Sequence, residues 1–110
     1  MSIQEGLYRV TFGTPLGAGF GVAHLADGKL HGGDSMMAYV GTYSDEGGAF
    51  TAQVHAFQHS TVPGMAPVLG TTNAQLSVSG TVNGQAVNGS GTSPQAPGLT
   101  LQFQLERLQG

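Results

Sequence analysis

Apolar residues in this chain recur at every second position in short runs, and no window of about ten residues repeats them at helical spacing. The last run is the plainest: Leu99, Leu101, Phe103 and Leu105 fall on one side, Thr100, Gln102, Gln104 and Glu106 on the other. Such alternation belongs to a strand with one face in a core and one in water. All five prolines lie between the runs, where a missing amide donor does no harm.

Composition agrees with a folded all-β domain of unusual surface. Charged residues make up 8% and glycine 19 of 110, against about 25% and 7% in an average soluble domain. The exterior must therefore be Ser, Thr, Asn, Gln and Gly. One core is all that a chain of this length buries, so residues 1–110 are expected to form one domain. The net charge is −3 and the three basic residues form no cluster, which argues against direct nucleic-acid binding. The chain has no cysteine and so no disulfide. No run approaches the roughly 18 apolar residues of a membrane-spanning helix. The opening Met1-Ser2-Ile3-Gln4-Glu5 lacks the basic and apolar parts of a signal peptide. A cytoplasmic protein without membrane contact is the expectation.

Turn residues set much of the register. The first strand, Leu7–Phe12, places Tyr8, Val10 and Phe12 inward and ends at Gly13-Thr14-Pro15. The second, Ala18–Ala26, runs into Asp27-Gly28, a two-residue hairpin turn that needs positive φ at both positions. That turn pairs Ala26 with Lys29, Leu25 with Leu30 and His24 with His31. Gly19, Gly21, Ala23 and Leu25 then face inward, a strand thin enough to admit a large ring from elsewhere. Phe20, Val22 and His24 face outward. Gly32 and Gly33 with Asp34, whose carboxylate can accept the amides that follow it, form a sharp bend. A strand over Met36–Tyr43 comes next, with Tyr39 read as outward. Ser44-Asp45-Glu46-Gly47-Gly48 is read as the turn into a strand over Ala49–Phe57, whose Phe50, Ala52, Val54 and Ala56 belong to the core.

Residues 60–70 form a long and unusually apolar loop containing Val62, Met65, Val68 and Leu69. Beyond it, Asn83-Gly84 reads as a second hairpin turn, pairing Val82 with Gln85 and Val78 with Gly89. Leu76, Val78 and Val87 face in; Ser77, Ser79, Thr81, Ala86, Asn88 and Ser90 make an outer ladder. Eight strands joined mostly by hairpins give an antiparallel up-and-down meander. Closing it into a β-barrel removes the exposed edges, and the interior of an eight-stranded barrel is either filled or holds one small ligand.

The chemistry-bearing residues do not converge on a reaction. His55 and His59 on a strand stand roughly 13 Å apart and cannot share an ion. His24 and His31 are neighbours with Cβ atoms about 5 Å apart, but no third ligand accompanies them, so no metal is expected. Asp34-Ser35 near His31 lacks the Gly-x-Ser-x-Gly elbow and following helix of a hydrolase. Gly17, Gly19 and Gly21 have the wrong spacing and context for a nucleotide loop. Asp45 and Glu46 are adjacent acids in a turn, not a converging pair. No catalytic residue, cofactor or enzymatic activity is expected.

The run Gly32-Gly33-Asp34-Ser35 followed by Tyr39-Val40-Gly41-Thr42-Tyr43, with Gly6-Leu7-Tyr8 and Phe12 in the first strand, resembles the GrlR family, negative regulators of bacterial type III secretion. The resemblance extends from the opening strand to the final Leu-rich one. It implies a lipocalin-like eight-stranded barrel that forms homodimers. In the regulator that names the family, an acidic four-residue surface motif after the matching strand contacts a transcriptional activator. Here that place is held by Ser44-Asp45-Glu46-Gly47-Gly48, so the resemblance points to Asp45 and Glu46 as contacts for a protein partner, a transcriptional regulator by analogy.

The sequence favours the first of two functions. The first is a non-enzymatic interaction module that binds a protein through Asp45-Glu46 or the apolar 60–70 segment and is dimeric through outward residues such as Phe20, Val22 and Tyr39. The second is a carrier of a small apolar ligand, in a cavity bounded by Tyr8, Phe12, Phe50 and Phe103 with Met65 and Leu69 over its mouth.

Overall fold

A computed structural model of the chain describes residues 3–110. Eight antiparallel strands close into a barrel in the order of the sequence: β1 (Gly6–Thr14), β2 (Gly17–Ala26), β3 (Lys29–Gly33), β4 (Met37–Glu46), β5 (Ala49–Gln58), β6 (Asn73–Asn83), β7 (Ala86–Thr92) and β8 (Leu101–Gln109). The last strand pairs with the first, Phe12 opposite Phe103 and Val10 opposite Leu105, so the described sheet has no free edge. None of the described residues forms a helix long and apolar enough to cross a membrane.

The Asp27-Gly28 turn is formed as expected, with φ of 53° and 74° and with His24 opposite His31 and Leu25 opposite Leu30. The other expected hairpin turn moves by one residue. Asn83 is the last residue of β6 and pairs with Ala86, so Gly84 and Gln85 make the turn. Only Gly84 has positive φ, 69°. A turn with glycine first needs no left-handed residue second, so asparagine is spared that conformation. Val82 therefore faces Val87, and Val78 faces Gly91. Because the partner shifts by two residues, the inner and outer faces stay as the alternation has them.

Other boundaries differ from the sequence reading as well: β8 begins at Leu101, which leaves Leu99 and Thr100 in the preceding loop, and β4 begins at Met37 rather than Met36. β1 continues through Gly13 to Thr14, and Pro15-Leu16 alone makes the turn into Gly17. β4 runs on to Glu46, which pairs with Ala49 across a two-glycine turn with φ of 60° at Gly47 and 89° at Gly48. Asp45 and Glu46 are therefore strand residues on opposite faces, not members of an acidic loop. Asp45 leans inward and accepts a hydrogen bond from the Ile3 amide, while Glu46 is exposed.

Aromatic rings fill the barrel where neighbouring strands omit side chains. The Phe50 ring is 1% exposed, stacks on Tyr43 with centroids 5.9 Å apart, and meets Phe103 at 6.3 Å. Between Phe50 and Phe103 in that cross-strand row lie only Gly80 and Gly89. The thin second strand works the same way. A Cβ at Gly19 would stand 2.8 Å from Phe12 Cζ, so the Phe12 ring occupies the space that strand leaves.

The two ends of the barrel are built differently. At one end the turns Asp27-Gly28, Gly47-Gly48 and Gly84-Gln85 are all tight, and residues 3–5 fold across them. The Tyr8 hydroxyl donates to the Gln4 carbonyl at 2.5 Å, and Glu5 accepts the Asp27 amide at 2.7 Å. Ile3, Tyr8, Leu25 and Val87 are all buried in the core there. The opposite end carries the bend at residues 34–36, the loop at 59–72 and the loop at 93–100.

Candidate functional site

The open end holds an apolar cavity of about 170 Å3 whose walls include Phe12, Leu30, Phe50, Val54, Leu76 and Phe103. Its size exceeds the roughly 150 Å3 of an apolar protein cavity that takes up benzene. The low wall on one side explains why it reaches the surface. β3 pairs with β2 only from Val22 onward, leaving Gly17–Gly21 without a β3 neighbour, and the cavity lining there includes Phe20 and Ser35, both exposed.

The 59–72 loop lies over this end and is tied down on several sides. Thr14 Oγ1 donates to the Val68 carbonyl, and Ser35 Oγ lies 3.9 Å from Met65 Sδ. Within the loop, Met65 N donates to Val62 O and Gly70 N to Pro67 O, folding it into two consecutive turns. Leu69 is buried and Met65 is 51% exposed. The loop is thus a cover with an apolar underside.

One polar cluster interrupts the apolar wall. Asp34 Oδ1 accepts hydrogen bonds from the amides of Met36 at 2.8 Å and Met37 at 2.7 Å, which is the bend expected from the sequence. Asp34 Oδ2 accepts the Tyr39 hydroxyl. The Tyr39 ring meets Phe12 edge-on at 6.1 Å. His59 Nε2 donates to the Asp34 carbonyl oxygen at 2.9 Å, and its Nδ1 lies 2.7 Å from Ser60 Oγ. Both Asp34 and Tyr39 line the cavity.

Burial first, then the hydrogen bond to Asp34 and that carboxylate's charge, push the Tyr39 phenol well above the ordinary tyrosine value of 10.0. A phenol whose folded value is raised contributes stability that is complete below its unfolded value and is lost as pH rises above it. Tyr8 and Tyr43 are raised as well, chiefly by burial. The barrel is therefore expected to unfold in alkali above about pH 10, with phenolate absorbance and loss of the sheet circular dichroism appearing together. Tyr39→Phe should move that midpoint upward; phenolate formed by Tyr39 within an intact sheet would contradict this.

The residues singled out from sequence are distributed as follows. Phe12, Phe50 and Phe103 line the cavity, but Tyr8 does not: it is fully buried at the closed end, where its hydroxyl is held by Gln4. Tyr39 is corrected from an outward surface residue to an inner one, because Met37, Tyr39 and Tyr43 take the inward positions of β4 and leave Val40 42% exposed. Phe20 and Val22 do face outward, at 72% and 44% exposure. His24 and His31 are cross-strand partners on the outer wall. Among the described residues, no three His, Asp or Glu side chains are grouped to hold a metal ion.

Asp34 as a cavity residue was missed, since the sequence explains it fully as a bend residue. Tyr39 left a readable signal: in Met37-Ala38-Tyr39-Val40-Gly41-Thr42-Tyr43 the bulkier alternate set is the one containing Tyr39. No family model and no curated protein matches the chain.

Proposed function

We propose that this chain is a non-enzymatic carrier of a small apolar ligand, bound inside the open end of the barrel. The observation that carries this reading is the 170 Å3 cavity, lined mostly by apolar side chains, open over the low wall of β2 and covered elsewhere by the 59–72 loop. Ligand sites of this kind are concave and mostly apolar, with a few placed polar groups. The mouth of a small barrel is one of their usual positions.

The test uses indole, a single fused ring system close to the size of the cavity. The chain contains no tryptophan, so its own emission does not mask that of indole. Saturable binding of one indole per chain, with a dissociation constant at or below about 1 mM, is the expected result. A linear, unsaturating signal would remove the carrier reading.

A second reading, the interaction module that the GrlR resemblance implies, draws its support from the outer wall. Phe20 and Val22 are large apolar side chains open to solvent on β2, on a chain with few charges to mark other contacts. Asp45 supports it less, because its carboxylate is engaged by Ile3. In this reading a homodimer forms through β2 and a protein partner, by analogy a transcriptional regulator, binds elsewhere. Native mass spectrometry of the gently purified protein separates the two readings by reporting bound small mass and oligomeric state together.

A further inference from the structure

The Asp34–Tyr39 cluster bears on which head group a cavity ligand can carry, an inference that rests on the carrier reading. Every side-chain donor in the cluster is already used, as are the Met36 and Met37 amides. Tyr39 gives its proton to Asp34 Oδ2, and the Met36 and Met37 amides are given to Asp34 Oδ1. A carboxylate has about four acceptor positions and a phenol oxygen keeps acceptor capacity after donating. What remains open toward the cavity is one further acceptor position on Oδ2 and the acceptor face of the Tyr39 oxygen.

The other polar side chains of the lining do not change that balance. The Ser35 hydroxyl is directed to Met65 Sδ, and Thr71 Oγ1 donates to the Asn73 carbonyl. Asp34 is the one ionisable acid in the lining, and none of the basic residues is in it. Arg9 is paired with Glu106 on the outer surface, Arg107 Nε donates to Glu5 O at the closed end, and Lys29 follows the closed-end turn. His59 touches the cluster through the Asp34 backbone carbonyl rather than through the cavity.

We infer that the cavity selects a small amphiphile with one ring or a short chain and a hydrogen-bond-donating head, an amine or alcohol, and rejects the corresponding carboxylate. The donor head sits at Asp34 Oδ2 and the Tyr39 oxygen, and the apolar body lies against Phe12 and Phe103. A carboxylate placed at that pair meets side-chain acceptors and a like charge. Burying it unpaired is costly, whereas an ammonium against a carboxylate makes a charge-assisted bond.

The experiment displaces bound indole with four ligands of matched size: toluene, benzyl alcohol, benzylamine and benzoate, at about pH 8, above the ordinary histidine range. Benzylamine and benzyl alcohol are expected to bind at least about tenfold more tightly than benzoate. Asp34→Asn turns one acceptor into a donor while keeping an oxygen for the Met36 and Met37 amides. In that variant benzylamine should lose about tenfold and benzoate should gain. Benzoate binding as tightly as benzylamine to the unmodified protein would overturn the head-group assignment while leaving the cavity in place. If indole and toluene also fail to bind, the carrier reading falls and the assignment with it. The comparison on the unmodified chain decides the question even if the variant does not fold.

Discussion

Phe50→Ala is expected to destabilise the barrel by about 3–5 kcal/mol, the range for deleting a fully buried phenylalanine ring. The site gives the hole little chance to close. Phe50 is stacked on Tyr43 and tilted against Phe103, and the residues beside it in the same row, Gly80 and Gly89, have no side chains that could move in. Chemical denaturation should show a lower midpoint at an unchanged slope. Phe50 also lines the cavity, so the variant, where it folds, should admit ligands one ring larger than the unmodified protein does. A cost below about 1 kcal/mol would mean that the ring cluster is not the centre of the core.

Ala56→Phe is expected to do the reverse, abolishing ligand binding while sparing the fold. Ala56 is buried, lies opposite Tyr39 across the β4–β5 ladder, and lines the cavity. A phenyl ring there occupies the volume that a ligand would take, since a cavity slightly smaller than this one is filled by benzene. Filling a void can be neutral or stabilising where the ring fits, and costs about 1–3 kcal/mol where it is forced. Affinity for indole should fall by at least about a hundredfold, equivalent to roughly 2.7 kcal/mol. Retained affinity in a folded Ala56→Phe protein would place the ligand outside the barrel, on the exposed apolar groups of β2.

Most of the fold was legible because its determinants are local. Two-residue periodicity fixes the faces of the strands, and Asp27-Gly28 has a single comfortable turn geometry that sets the pairing on both sides. Asn83-Gly84-Gln85 was harder, because glycine can serve either as the second residue of one turn type or the first of another. The choice was settled by placing Val82 against Val87 in the core. The Ser44–Gly48 segment misled for a similar reason: two glycines alone complete the turn, so the acids before them return to the strand and separate to its two faces. The cavity lies a level further from sequence. Its existence depends on whether Phe12, Phe50 and Phe103 together fill the interior, a matter of volumes contributed by several strands. Its polar cluster depends on Asp34, at the end of one strand, meeting Tyr39 in the next.

The ring of strands also has a consequence for the order in which it is made. Seven of its eight pairings join strands that follow each other along the chain, and only β1 with β8 brings together distant segments. Most sequential pairings close a two-residue turn, and the longest of them the 59–72 loop, whereas the last closes about a hundred residues at once, costing some 2–3 kcal/mol more in chain entropy than a tight hairpin. The seam, with Phe12 set against Phe103, is therefore expected to form last, on the native side of the folding barrier, and low φ-values at Phe12 and Phe103 would show it. Weakening the seam should quicken unfolding far more than it slows folding.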